Sequence, residues 1–189
     1  MNSSHLMRNA LFVPIILAAA WKLLSKSKIE KEFGPLKTAK KVNIQKYMGS
    51  WYVIANIPTF LETGAHNAIE TYTWNKDKNH IDVNFTYNKD NFDGELIQIQ
   101  QVAFIHNEKT NAEWRTQLYH TVKFPYVIMD LAHDYSYAVV GMPNREHVWI
   151  LARNPTLEDD VYNTLKIKIA DQGFDVSQLV KIPQTMLKH

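Results

Sequence analysis

Eight short segments between Trp51 and Leu151 alternate apolar with polar residues, and no other feature of the chain constrains its fold as strongly. The clearest is His80 to Tyr87, where Ile81, Val83, Phe85 and Tyr87 alternate with Asp82, Asn84 and Thr86. Trp51 to Ile57 and Ala68 to Trp74 precede it. Glu95 to Ile105, Glu113 to Thr121, Tyr126 to Leu131, Tyr135 to Gly141 and His147 to Leu151 follow. Polar stretches such as 75–79 (NKDKN) and 88–94 punctuate the series. Segments recurring every 8–15 residues or so are those of an antiparallel meander, not of βαβ units.

After Thr156 the period changes. Val161, Leu165 and Ile169, with Tyr162 and Ile167 beside them, recur at helical spacing. Thr156 is the expected N-cap, with Asp159 in the first turn facing free N–H groups, and Gly173 the expected residue just past the end. The pattern predicts an all-β fold with one α-helix near 156–172. Eight antiparallel strands bury themselves and lose their edges by closing into an up-and-down barrel with the helix packed outside. Such a barrel is filled by its own side chains or holds one small ligand. The strand faces leave both open. Glu95 to Ile105 places Leu96, Val102 and Phe104 on one parity and Ile97, Ile99 and Ile105 on the other. One account is a packed core with a helix or second copy outside, the other a greasy cavity.

Charge divides the chain. Residues 1–41 carry eight basic and two acidic side chains, whereas 42–189 carry thirteen basic and seventeen acidic ones. The first part reads as a tag remnant (MNSSHL), a hydrophobic leader and a basic linker, and 42–189 as the barrel domain. Within the leader, Ala10 to Leu24 is apolar except for Lys22. As a helix it would reach about 22 Å, short of the hydrocarbon core of about 30 Å. Ala18-Ala19-Ala20 suits cleavage of a secretory signal. Lys22, Lys26, Lys28 and Lys31 instead suit an uncleaved anchor on anionic head groups. A plain amphipathic helix is the third reading. The expected location is periplasmic or membrane-associated.

The sequence contains no cysteine, which excludes disulfides, thiol catalysis, cysteine-bound metals and an acylated cysteine within it. A net charge of +2 gives no nucleic-acid signature. No G-x-S-x-G, phosphate-binding glycine loop or G-x-G-x-x-G occurs. His66, His80, His106, His120, His133 and His147 are scattered without ligand spacing. Asp82, Asp90, Asp93 and Glu95 read as a solvated face. The expectation is a binding protein with no cofactor or metal, not an enzyme.

Gly49-Ser50-Trp51-Tyr52, after 42–48 (VNIQKYM), resembles the G-x-W opening of a lipocalin. Tyr135-x-x-Ala138-x-Val140 with Pro143 and Arg145 resembles the second region of that family, and 149–155 (WILARNP) the third. Ile54-Ala55 and 173–176 (GFDV) resemble the subgroup of apolipoprotein D and the bacterial outer-membrane lipocalins. Asp130 and Asp134 flank the place where the second region usually carries its acidic residue. The likeness spans 42–183. It implies a barrel closed at one end, binding fatty acids, lysophospholipids or similar hydrophobic molecules, with a role in membrane maintenance. A filled-barrel membrane- or protein-interaction module is the alternative, and a lipid-modifying enzyme a more distant one.

On that frame Trp51 and Arg153 are expected to meet at the closed end behind Gly49 as structural closure, a guanidinium over an indole face being worth about 0.5–2 kcal/mol. Parity selects Val53, Tyr72, Phe85, Phe104, Leu118, Tyr137 and Trp149 as ligand-binding candidates. His66, Glu62 and Lys89 fall in expected loops that could meet a head group. The expected partners are a small hydrophobic ligand and a membrane, with the protein a monomer or homodimer.

Overall fold

The computed structural model describes residue 29, residues 31–118 and residues 122–185. Two units are distinguished, Met1–Pro35 and Leu36–His189. The expected leader and His120 lie outside the described residues. Among the described residues no helix is long and apolar enough to cross a membrane.

The second unit opens with a one-turn helix α1 (Ile44–Tyr47), capped by the Asn43 carboxamide accepting from Lys46 N at 3.1 Å. Eight antiparallel strands follow: β1 (Gly49–Ile57), β2 (Ala65–Asn75), β3 (His80–Lys89), β4 (Leu96–Ile105), β5 (Glu113–Leu118), β6 (Val122–Leu131), β7 (Tyr137–Gly141) and β8 (Val148–Ala152). Each pairs with the next, β8 pairs with β1, and β1 pairs with β2, so the sheet closes as a barrel. Closure leaves one apolar face inward. Ile81, Val83, Phe85 and Tyr87 of β3 are buried there, and the intervening residues are half-buried outside.

The outer face differs around the barrel. Where β1, β6, β7 and β8 adjoin, it is apolar because α2 (Asp159–Ala170) covers it. Tyr162, Leu165 and Ile169 pack there with Ile54, Val139 and Ile150. Each such side chain contributes about 1.5–3 kcal/mol on full burial. The helix begins at Asp159, with Glu158 as N-cap, and not after Thr156 as expected. Ile167 lies off the stripe and is exposed. Gly173 takes φ 89° and Phe174 turns back onto the sheet. A methyl group on Gly141 would come within 2.4 Å of Met129 Sδ and 2.8 Å of Phe174 Cζ. Gly141→Ala should therefore cost about 1–3 kcal/mol in urea unfolding, and an unchanged midpoint would contradict this packing.

β1 and β2 pair only from Gly49 to Tyr52. A register shift at Val53–Ala55 then bends β1 away, and β2 has its own shift between His66 and Ile69. The gap is bridged from the far end of the chain. β9 (Val180–Lys181) pairs with Ala55–Asn56, and the Gln184 amide donates to Val53 O at 2.9 Å and Ala68 O at 3.1 Å. This ninth strand has no counterpart in the sequence reading.

Candidate ligand site

At one end lie the β2–β3, β4–β5 and β6–β7 turns, and the segment before α1 runs across them. Val42 N donates to Thr110 O at 2.8 Å, and Asn43 N to the Tyr135 hydroxyl at 2.8 Å. This is the floor. Trp51 is fully buried on it, and its indole N–H donates to Tyr47 O at 2.8 Å. The Arg153 guanidinium stacks 3.7 Å from the Trp51 ring centre. Its N–H groups reach Ser50 O, Lys46 O, Tyr47 O and Met48 O at 2.7–3.1 Å. A helix of one turn leaves its carbonyls without N–H partners, and Arg153 satisfies them. Gly49 takes φ 93° beside the same guanidinium.

Above the floor is an aromatic layer. Trp114 stacks on Tyr126 at 5.1 Å and Tyr47 packs edge-on against Tyr72 and Trp114. The hydroxyls form a chain, Tyr47 to Tyr126 at 2.9 Å and Tyr126 to Tyr72 at 2.7 Å, and the Tyr72 hydroxyl donates to Glu70 Oε2. Buried phenols need such partners. Desolvation raises the pKa values of Tyr47, Tyr72 and Tyr126, so they remain neutral donors and acceptors. Glu70 stands opposite Trp51 and Phe85 in the ladders. Desolvation pushes its carboxyl up to about 7, against the Tyr72 hydrogen bond that favours the anion; the charge of Glu62 adds to the rise.

Towards the other end Val53, Ala68 and Val140 are buried on the wall beside Phe85, Tyr87 and Trp149, while Val83, Ala103 and Ala138 line it lower down, nearer the turns of the floor. Many of these are small for the interior of an eight-stranded barrel. The loop between β1 and β2 folds over this end. Its Glu62 accepts from Asn56 Nδ2 at 2.7 Å, Trp149 Nε1 at 3.0 Å and, more weakly, Thr59 N at 3.5 Å. Desolvation raises the Glu62 pKa, and those three donors with nearby His147 oppose it.

The structure brings Val53, Tyr72, Phe85 and Trp149 together on the inner wall. Leu118 shares the inward parity of Trp114 and Thr116 at the upper end and is half-buried. Phe104 and Tyr137, selected as ligand-facing, lie on the outer surface. On β4 it is Ala103 that faces inward opposite Ile81, so Phe104 turns out against the His80 ring, with Lys123 Nζ 4.5 Å from its centre. On β7 Ala138 and Val140 face inward, and Tyr137 and Val139 take the face beneath α2. Sequence reasoning left Glu70, Asn56, Tyr47 and Tyr126 unmarked. Glu70 shares the period-two parity of Tyr72 and Trp74, which was the available signal.

Comparison with known proteins agrees with this geometry. A family model described as a lipocalin-like domain matches residues 42–184. Temperature-induced lipocalin-1 of Arabidopsis thaliana is 30% identical over 159 residues, 79% of this chain and 83% of that protein. Outer membrane lipoprotein Blc of Escherichia coli is 29% identical over 140 residues, 74% of this chain and 78% of that protein. Apolipoprotein D of Mus musculus is 30% identical over 152 residues, 75% and 77% respectively. Among solved structures, insecticyanin from the tobacco hornworm aligns with a TM-score of 0.62 at 17% identity, covering 79% of this chain and 85% of that one. Lobster apocrustacyanin A1 aligns with a TM-score of 0.59 at 18% identity, covering 82% and 93%. At those identities the solved structures speak for the fold.

Proposed function

The chain belongs to the lipocalin family, whose members bind small hydrophobic ligands, and on that premise we propose that it carries or stores single-chain lipids, fatty acids or lysophospholipids, inside the barrel for membrane maintenance. The observation that carries this reading is the stretch of wall between the aromatic layer and Glu62, where small apolar side chains line the interior. Each CH₂ taken from water there is worth about 0.8 kcal/mol, so a chain of about sixteen carbons offers roughly 12 kcal/mol gross. Immobilisation takes back several kcal/mol or more, leaving an affinity in the micromolar range.

Membrane association is part of the proposal. The β1–β2 and β3–β4 connections and the start of β6 share the end opposite the floor. Phe60 is 88% exposed there, Leu96 66% and Val122 53%, with Phe92 and Phe124 also open to solvent. Such an apolar rim suits contact with a lipid surface. Two of the relatives named above bear on location: one is named an outer membrane lipoprotein and another an apolipoprotein. In this reading the segment 10–24 serves as the tether.

Titration of the full chain with lysophosphatidylcholine, followed by tryptophan fluorescence, should saturate in the micromolar range; no saturable change with any fatty acid or lysolipid would overturn the carrier reading. Trp149→Ala should weaken binding about tenfold, or 1.4 kcal/mol, by calorimetry. Tyr137→Ala, on the outer face, should leave affinity within about twofold. The reverse pattern would mean that the lipid does not bind inside.

A further inference from the structure

The polar groups on the inner wall are unbalanced. Glu62 takes its three donors on Oε2, and its Oε1 has no hydrogen-bond partner. Glu70 takes the Tyr72 hydroxyl on Oε2, and its Oε1 likewise has none. Asn56 is 2% exposed, donates its Nδ2 to Glu62, and leaves its buried Oδ1 without a partner. Asn56 faces inward from β1 opposite Trp149, so this orphan acceptor lies beside the Glu62 carboxylate. Every unfilled site in this set accepts a hydrogen bond and none donates one.

Nothing in the wall answers them. Among the described residues, no Lys or Arg faces inward between the aromatic layer and the rim. Arg153 lies under Trp51 with its N–H groups committed to four backbone carbonyls. Among the described residues Asn56 Oδ1 is the buried acceptor left unmatched, which is costly, and a donor on the ligand beside it would answer it; the free Oε1 atoms of Glu62 and Glu70, not fully buried, would exchange water for the same group. The carboxylate of a free fatty acid would add negative charge beside two acids whose own ionisation burial already opposes. An ammonium group supplies positive charge, N–H donors where it has them, and a cation for the faces of Trp149, Tyr72 and Tyr126.

We propose that the barrel selects hydrophobic molecules that bear an ammonium group, held by Glu62 and the Asn56 carbonyl with the Glu70 carboxyl adding attraction from deeper in the barrel, while the chain lies on the apolar wall. This rests on the carrier reading and narrows it, placing long-chain amines and lysophospholipids with an amine head group above free fatty acids. The Glu70 carboxyl, pushed up to about 7, gains negative charge readily beside an ammonium group near neutral pH.

A matched series tests it on the full chain: tetradecylamine, tetradecanol and tetradecanoate, followed by tryptophan fluorescence near neutral pH. The amine should bind at least about tenfold more tightly than either of the others. Lysophosphatidylethanolamine, whose ammonium carries N–H donors, should likewise exceed lysophosphatidic acid of the same chain, which separates a zwitterionic lipid head from a bare phosphate. Glu62→Gln with Glu70→Gln should bring the amine-to-alcohol ratio within about threefold. Tetradecanoate or tetradecanol binding as tightly as the amine to the unaltered protein would overturn the proposal while leaving the carrier reading intact. Saturation by none of the three would end both. The comparison on unaltered protein decides the matter even if the double variant fails to fold.

Discussion

Replacing Trp51 with alanine should lower the free energy of unfolding by about 4 kcal/mol, the loss typical of a fully buried large aromatic. The ring is wholly buried, its N–H holds Tyr47 O, and Tyr47 packs against it at 5.0 Å. Arg153→Ala removes the guanidinium from the other face and takes one donor from each of four carbonyls, of which Tyr47 O keeps the Trp51 N–H. It should cost about 2 kcal/mol, because those carbonyls regain only partial hydration at the floor. Since the two side chains share one contact, the double variant should lose less than the sum of the singles, by about 1 kcal/mol. Urea unfolding of the three variants reads this directly. Arg153→Ala should keep lysolipid affinity within about twofold, because its side chain lies below the aromatic layer. Additive losses would show that the stacked pair does not act as one unit.

The protein should become more stable as the pH falls from about 8 to about 5, contrary to the usual behaviour of carboxylates in folded chains. The cause is Glu70, whose carboxyl rises from 4.5 to about 7 on folding. A group displaced upward contributes its full stability below the unfolded value and loses it as the pH rises through the folded value. The window is therefore 4.5 to about 7. Over it the change amounts to about 3 kcal/mol, at 1.36 kcal/mol per pH unit. The groups facing Glu70 are the hydroxyls of Tyr72, Tyr126 and Tyr47, which stay neutral throughout, and Glu62, which is displaced in the same direction. Asp82, Asp134 and Asp175 are displaced downward and act below this window. Glu70→Gln should flatten the profile and be the more stable protein at pH 8, by about 2 kcal/mol. Guanidinium unfolding at several pH values tests this. A profile that is level or falls on acidification would remove Glu70 as its source.

How far the sequence shows this molecule depends on whether a residue's surroundings are local. β3 was legible because its alternation is clean, and its observed range extends the expected one by two residues. β6 begins at Val122, earlier than expected, because Pro125 marks a break by the usual rules. At Pro125 that strand pairs with β5 alone, and a residue without an N–H is accommodated. Thr156 looked like a cap, but the chain turns into the helix two residues later. The shift at Val53–Ala55 and the strand at 180–181 follow from packing between distant segments and leave no local mark.

The same distinction governs the site. Tyr72 and Phe85 were legible as inward-facing because their neighbours in the strand are polar, whereas Val53 and Trp149 sit in strands apolar on both faces. Phe104 and Tyr137 face outward and not inward as their parity suggested, because alternation gives the two faces of a strand but does not say which is inside. On β7 both faces are apolar, one for the interior and one for α2. Glu70 escaped notice because a single acid in an alternating strand ordinarily belongs to the solvent side.

The seam beside β1 has a kinetic consequence. Val53 is joined through Gln184 to a residue 131 positions away in the chain, and the remaining length of β1 is held by β8 and β9. The first strand to be made is thus among the last to be secured. Until the distant segments arrive, its inner face of tryptophan and valine has no permanent cover. Closing loops of that length carries a large entropic barrier, so assembly belongs to the slow regime of all-β chains, on the order of milliseconds to seconds. During that interval the exposed strand is the part of the molecule most vulnerable to association with another copy.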